Sequence, residues 1–135
     1  MNKTSNYDFT IVVPVYNEED NIASLEERLS TFLPTAICRS CVLFVNDGSR
    51  DSSLSKIESV CSRHPDFFFI SLERNSGLSA AMKAGIDVAE SQYVGYIDAD
   101  LQISICFWPI VLSMSLSWAY VPTVRIRCSR SCSRR

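Results

Sequence analysis

The chain has 135 residues, enough for one domain at most. Hydrophobic residues make up 47% and charged residues 21%, which excludes a disordered polymer. The formal net charge of −2 is unevenly spread: residues 1–102 hold eight Lys/Arg against fifteen Asp/Glu and residues 103–135 hold five Arg and no acid, so the longer part offers no basic face and nucleic acid is not an expected partner.

Met1 to Asn6 carries no apolar signal-peptide core, so a cytoplasmic protein is expected. Phe9-Thr10-Ile11-Val12-Val13 is β-branched and apolar and reads as a strand bounded by Pro14. Asn17 is positioned to cap a helix whose acidic start, Glu18-Glu19-Asp20, suits the positive end of the helix dipole. Ile22, Leu25, Leu29 and Phe32 then recur at helical spacing until Pro34. Cys41 to Val45 predicts a second strand, and Asp51-Ser52-Ser53 opens a helix with Leu54, Ile57 and Val60 on one face. Phe67 to Leu72 predicts a third strand, Gly77 to Glu90 a helix with small residues for close packing, and Tyr93 to Ile97 a fourth strand.

The order β-α-β-α-β-α-β with continuously apolar strands predicts an α/β fold, a parallel sheet covered by helices on both faces with right-handed crossovers. Ligands of such open sheets bind at the carboxyl ends of the strands. Each predicted strand is followed there by a polar cluster: Pro14-Val15-Tyr16-Asn17-Glu18, Asn46-Asp47-Gly48-Ser49-Arg50-Asp51, Glu73-Arg74-Asn75 and Asp98-Ala99-Asp100-Leu101-Gln102. Carboxylates at Asp47, Asp51, Asp98 and Asp100 would repel one another unless a cation or hydrogen-bond donors compensate. Oxygen ligands of this kind suit hard divalent cations, with Asp100 the expected centre. Asp47 could instead accept from a nucleobase N–H or a ribose hydroxyl, while Arg74 and Lys83 are candidate partners for phosphate oxygens. Taken singly, each cluster is turn chemistry more often than a site.

Other chemistries find little support. G-x-G-x-x-G and the P-loop motif are absent, which argues against a dinucleotide dehydrogenase or a P-loop NTPase. The one histidine, His64, reads as a solvated loop residue with no role. Cys38-Arg39-Ser40-Cys41 is a C-x-x-C, but the simpler reading has Cys38 end a loop and Cys41 begin a buried strand.

Together, Val12-Val13-Pro14-Val15-Tyr16-Asn17-Glu18-Glu19, Val45-Asn46-Asp47-Gly48-Ser49-Arg50-Asp51, Arg74-Asn75-Ser76-Gly77 and Asp98-Ala99-Asp100-Leu101-Gln102 resemble the family 2 glycosyltransferases. Within that family they are most similar to the polyprenyl-phosphate sugar transferases of the dolichol-phosphate mannose synthase type. The resemblance implies a GT-A, Rossmann-like fold and a nucleotide-sugar donor, UDP- or GDP-linked. It implies that Pro14, Tyr16 and Glu18 line the nucleoside pocket, with Asp47 on the base and Asp98 on the nucleotide side. Asp100 and Gln102 would hold Mg²⁺ or Mn²⁺ against the diphosphate. A lipid phosphate would then attack the sugar with inversion, at the cytoplasmic face of a membrane.

The resemblance covers residues 8–102, and residues 1–102 are expected to be the donor-binding part of the domain. Residues 103–135 read as a tail of another character, poorly ordered and out of frame. In the frame that begins on the third base of each codon, residues 113–134 can encode a string resembling the stretch after the metal motif in the same subgroup. The expectation is therefore a truncated, inactive glycosyltransferase with no catalytic residue beyond the metal site. Two alternatives are a nucleotide-sugar-binding remnant without transfer and a fragment anchored in a membrane. The second rests on Ile103 to Val121, which carries no charge and is about long enough to span.

Overall fold

The computed structural model describes residues 3–99. Four strands and three helices alternate: β1 (Phe9–Val15), α1 (Ile22–Phe32), β2 (Ser40–Asn46), α2 (Ser53–Arg63), β3 (Phe67–Ser71), α3 (Leu78–Val88) and β4 (Tyr93–Tyr96). Short 3-10 turns occupy Lys3–Asn6 and Leu33–Thr35. All pairings are parallel, and the sheet order is β3-β2-β1-β4. The chain therefore starts in the middle of the sheet, builds outward to β3, and returns through α3 to the other side of β1.

Side-chain alternation along the strands makes two cores. Ile11, Val13 and Val15 of β1 face α1 and α2 with Val42, Phe44, Ile22, Leu25, Ile57 and Val60. Val12, Leu43 and Val45 face the other way, onto Ala81 and Ala84 of α3. Because helices cover both faces of β1 and β2, these strands are apolar on both faces rather than alternating. The small residues of α3 let it approach closely: a Cβ on Gly85 would lie 2.5 Å from Val12 Cγ1 and 2.9 Å from Val45 Cγ2.

Several boundaries depart from the sequence reading. Pro14 lies inside β1, opposite Val45, instead of ending it. The ladder explains why. The Val12 carbonyl accepts from Ile97 N–H on the β4 side (3.1 Å), and the Val15 carbonyl accepts from Asp47 N–H on the β2 side (2.8 Å). Pro14 shares the parity of Val12, so its missing N–H points past the end of β4 and costs no ladder bond. Asn17 does not cap α1: it takes a left-handed conformation at φ 51° and the helix begins five residues later, after Asn21.

His64 is also not a free loop residue. It is half-buried at the end of α2, its ring centroid 4.9 Å from that of Phe67. Its Nε2 lies 2.9 Å from Glu26 Oε1, while Arg63 donates from Nε (3.0 Å) and Nη2 (2.7 Å) to the two Glu26 oxygens. These bonds tie α1 to α2 and hold the Glu26 carboxyl below the usual carboxylate range, Arg63 contributing most. A carboxylate whose folded pKa is depressed adds stability above its unfolded pKa of about 4.3 and loses it as pH falls through the folded value. Urea midpoints of the wild type and Glu26→Gln are therefore expected to differ at pH 7 and converge as the pH falls through the depressed folded value. A gap that persists unchanged into acid would show that Glu26 stabilises by packing rather than charge.

Candidate functional site

The carboxyl edge of the sheet is built from four loops, and those after β1, β2 and β3 brace one another. After β1, Asn17 N–H donates to Ser49 Oγ (3.0 Å) and Asn17 Oδ1 accepts from Arg50 N–H (2.8 Å). Glu18 N–H donates to Ser53 Oγ (3.0 Å), Glu19 N–H to Asp51 Oδ2 (3.3 Å), and Ser52 N–H to Glu19 Oε2 (3.0 Å). The loop after β2 is thus laced to the loop after β1. Left-handed Asn17 makes this possible by turning its amide face toward residues 49 and 50 instead of toward α1.

Asp47 begins the loop after β2 and is only 3% exposed. Its Oδ1 accepts from Ser76 N–H (2.8 Å) and its Oδ2 from Gly77 N–H (2.9 Å). Asp51 Oδ1 accepts from Ser53 N–H (2.9 Å) at the start of α2. Burial alone would raise the Asp51 pKa, but the hydrogen bonds from Ser53 and Glu19 outweigh it and hold the carboxyl low. Two of the four carboxylates expected to crowd this edge are therefore compensated by backbone donors and need no cation. Each Asp47 oxygen thus accepts one N–H from the loop after β3 and keeps a second lone pair.

The remaining predicted residues divide. Pro14 is buried under the edge, while Tyr16 stands out of it at 42% exposure. Glu18 is half-buried, and its Oε2 accepts from Asn21 Nδ2 (2.6 Å). Arg74 is exposed in the loop after β3, with no acceptor for its guanidinium among the described residues. Asp98 follows β4 half-buried, and Ala99 beside it turns into the α1–α2 core. Lys83 does not join this edge. Its ammonium pairs with Asp87 Oδ2 (2.5 Å) one turn further along α3, which leads away from the edge. Asp100 and Gln102 lie outside the described residues, as do Ile103 to Val121. Among the described residues no group of three His, Cys, Asp or Glu could hold a metal, and no helix is long and apolar enough to cross a membrane.

Asn46 carries more of the site than its sequence context suggests. It is 2% exposed at the last position of β2. Its Nδ2 donates to Ser71 Oγ (2.8 Å) and its Oδ1 accepts from Ser49 N–H (3.2 Å), joining the ends of β2 and β3. An amide closing an otherwise apolar strand was the available signal. At the opposite edge, the C-x-x-C sulfurs face different neighbours. Cys38 is exposed, while Cys41 is buried beside Thr10 Oγ1 at 3.4 Å. Burial pushes the Cys41 thiol up to about 11, so it stays protonated and unreactive at neutral pH.

A parallel sheet whose loops form one polar carboxyl edge is the arrangement of nucleotide-binding α/β folds. Residues 10–126 match the model of Glycosyl transferase family 2, a match that runs past Gln102. An uncharacterized glycosyltransferase of Synechocystis sp. is 39% identical over 95 residues, 70% of this chain and 30% of that protein. Dodecaprenyl-phosphate galacturonate synthase of Rhizobium johnstonii is 34% identical over 96 residues, 70% of this chain and 28% of that protein. The structure of a mannosyltransferase from Pyrobaculum calidifontis in complex with GDP-Man and Mn²⁺ superposes with a TM-score of 0.59 at 25% identity, covering 70% of this chain and 28% of that one. The chain thus spans about 30% of the length of the curated relatives it matches. With its parallel α/β sheet of GT-A type and a family match over most of its length, the chain belongs to glycosyl transferase family 2.

Proposed function

We propose that the carboxyl edge is the donor half of an inverting glycosyltransferase site that takes a UDP- or GDP-sugar, with a polyprenyl phosphate as the acceptor of the whole protein. The observation that carries this reading is the convergence of four loops on one edge, with exposed Tyr16 and Arg74 and half-buried Asp98 left for a ligand. Pro14 and Tyr16 supply an apolar and aromatic wall for the nucleoside, and Glu18 and Asp98 supply acceptors for its hydroxyl and N–H groups. Arg74 supplies a forked donor suited to phosphate oxygens.

Asp100 and Gln102 are the proposed ion ligands, while Asp98, with no donor on its carboxylate among the described residues, serves the nucleotide side. When bound, Mg²⁺ or Mn²⁺ would neutralise charge on the leaving nucleoside diphosphate. A lipid phosphate is already anionic at neutral pH, so the attack requires no protein base. A single in-line displacement then inverts the anomeric carbon. The acceptor reading is supported by the named activity of the Rhizobium relative, a dodecaprenyl-phosphate galacturonate synthase. Such an acceptor would bring the protein to the cytoplasmic face of a membrane.

A second reading is donor binding without transfer. Calorimetry with UDP- and GDP-sugars and Mn²⁺, on the wild type and Asp100→Ala, tests the donor site. Binding is expected to weaken about tenfold or more in the variant, since a charge-assisted ligand contact is lost. Equal affinity in the two proteins would remove the metal role of Asp100. Adding polyprenyl phosphate to the same mixture separates the two readings by whether a glycolipid forms.

A further inference from the structure

The loop after β1 is fastened to the start of α2 by bonds in both directions. Three consecutive backbone N–H groups donate to side-chain oxygens of the facing loop: Asn17 to Ser49 Oγ (3.0 Å), Glu18 to Ser53 Oγ (3.0 Å) and Glu19 to Asp51 Oδ2 (3.3 Å). Two bonds return, from Arg50 N–H to Asn17 Oδ1 (2.8 Å) and from Ser52 N–H to Glu19 Oε2 (3.0 Å). Lys56, one turn into α2, donates from Nζ to the Glu19 carbonyl (2.9 Å). Glu19 is thus held at its N–H, its carbonyl and its carboxylate. That carboxylate also meets the positive end of α2, where a negative charge is favoured.

The side chains of the loop divide by parity. Those of Asn17 and Glu19 bond to the loop after β2. Those of Tyr16 and Glu18 do not: Tyr16 is exposed, and Glu18 accepts from Asn21 within its own loop (2.6 Å). A backbone amide offers one donor, so with the N–H groups of residues 17–19 already bonded, the side chains of residues 16 and 18 are what the loop presents to a ligand. Asn17 stands at φ 51°, a conformation that asparagine tolerates better than most side chains. Such a backbone persists where its surroundings fix it, and here the bonds at Asn17 N–H and Oδ1 do so.

We infer that Asn17 and Glu19 are positioning residues of the donor site: they fasten the loop after β1 to the start of α2 so that Tyr16 and Glu18 stand ready for the nucleoside. The assignment rests on the proposed donor site and deepens it by naming side chains that act through others. A wall braced before the ligand arrives loses less freedom on binding. The braced loop serves the nucleoside and not the phosphates. Loosening it should therefore weaken a nucleoside and its diphosphate by the same factor.

The test uses the full chain as wild type, Asn17→Gly, Asn17→Asp, Glu19→Ala and Tyr16→Ala. Asn17→Gly keeps the left-handed backbone and loses the acceptor, whereas Asn17→Asp keeps both. Amide hydrogen exchange at residues 16–20, without ligand, is expected to speed up in Asn17→Gly and Glu19→Ala and to match the wild type in Asn17→Asp. Calorimetry then covers uridine, guanosine, UDP and GDP. For the base that the wild type prefers, nucleoside and diphosphate are expected to weaken alike in Asn17→Gly and Glu19→Ala, by about three- to tenfold, the worth of a hydrogen bond. Asn17→Asp should bind the uncharged nucleoside within about twofold of the wild type. Adding Asn17→Gly to Tyr16→Ala should lose little beyond Tyr16→Ala alone, since one acts through the other. Losses confined to the diphosphates, or fully additive losses in the double variant, would overturn the role. So would unchanged exchange, or faster exchange with unchanged nucleoside affinity. If Asn17→Gly fails to fold, Glu19→Ala carries the same readings. A wild type that binds none of the four ligands would overturn the donor reading itself, whereas variants that bind as well as a binding wild type overturn only the positioning role.

Discussion

Replacing Gly48 with alanine is expected to cost about 2–5 kcal/mol and to spoil the carboxyl edge with it. Two effects add. Gly48 sits at φ +66°, where an L side chain is strained by about 1–2 kcal/mol. The new methyl would also meet backbone atoms of Arg74 and Asn75 at 2.4–2.7 Å. Those atoms cannot rotate aside as a flexible side chain would, so the loop after β3 must move and the bonds from Asp47 to Ser76 and Gly77 must stretch or break. A domain of this kind has about 5–15 kcal/mol in total, so the loss is a large share. Gly77→Ala gives a contrast. Its φ of +93° and ψ of 162° lie where essentially only glycine fits, a backbone cost of about 1–3 kcal/mol, but a Cβ there meets nothing within 4 Å. Urea unfolding measures both variants. A Gly48→Ala loss no larger than its backbone strain of about 1–2 kcal/mol would mean that the close approach at Arg74 carries no energy.

Phe44→Ala is expected to destabilise the fold by about 3–5 kcal/mol without touching the edge directly. Phe44 is fully buried at 0% exposure near the middle of β2, which is flanked by β1 and β3. Its ring lies 6.1 Å from that of Phe67, and Val13, Leu25 and Ile57 belong to the same core. Rigid parallel strands on both sides limit collapse into the cavity, so the cost should fall in the upper part of that range. The urea midpoint should drop accordingly, with the slope unchanged if the native state stays compact. Tyr16→Ala gives the contrast: at 42% exposure its stability change should stay within about 0.5 kcal/mol. A Phe44→Ala change as small as that of Tyr16→Ala would show that the α1–α2 face of the sheet is not the core.

The element order was legible in the sequence because parallel strands buried on both faces must be apolar throughout. Phe67 to Leu72 and Cys41 to Val45 satisfy that requirement without ambiguity. The same pattern, with the rule that ligands sit at strand carboxyl ends, also made the polar edge legible. Boundaries were less so. Pro14 reads as a strand stop, yet it lies within β1 because β4 ends before it.

The residues that gather at the carboxyl edge were determined by the sequence itself: Tyr16, Asp47, Arg74 and Asp98 all come from loops on that side. Only the tertiary structure decided what each of them does. Asp47 and Asp51 accept backbone N–H groups, Lys83 is drawn to Asp87, and Asn17, Asn46 and His64 become ties between elements. The reason is physical. Hydrophobic periodicity is a local property of the chain, whereas a buried polar group is satisfied by whichever donor or acceptor the fold brings near, often about thirty residues away.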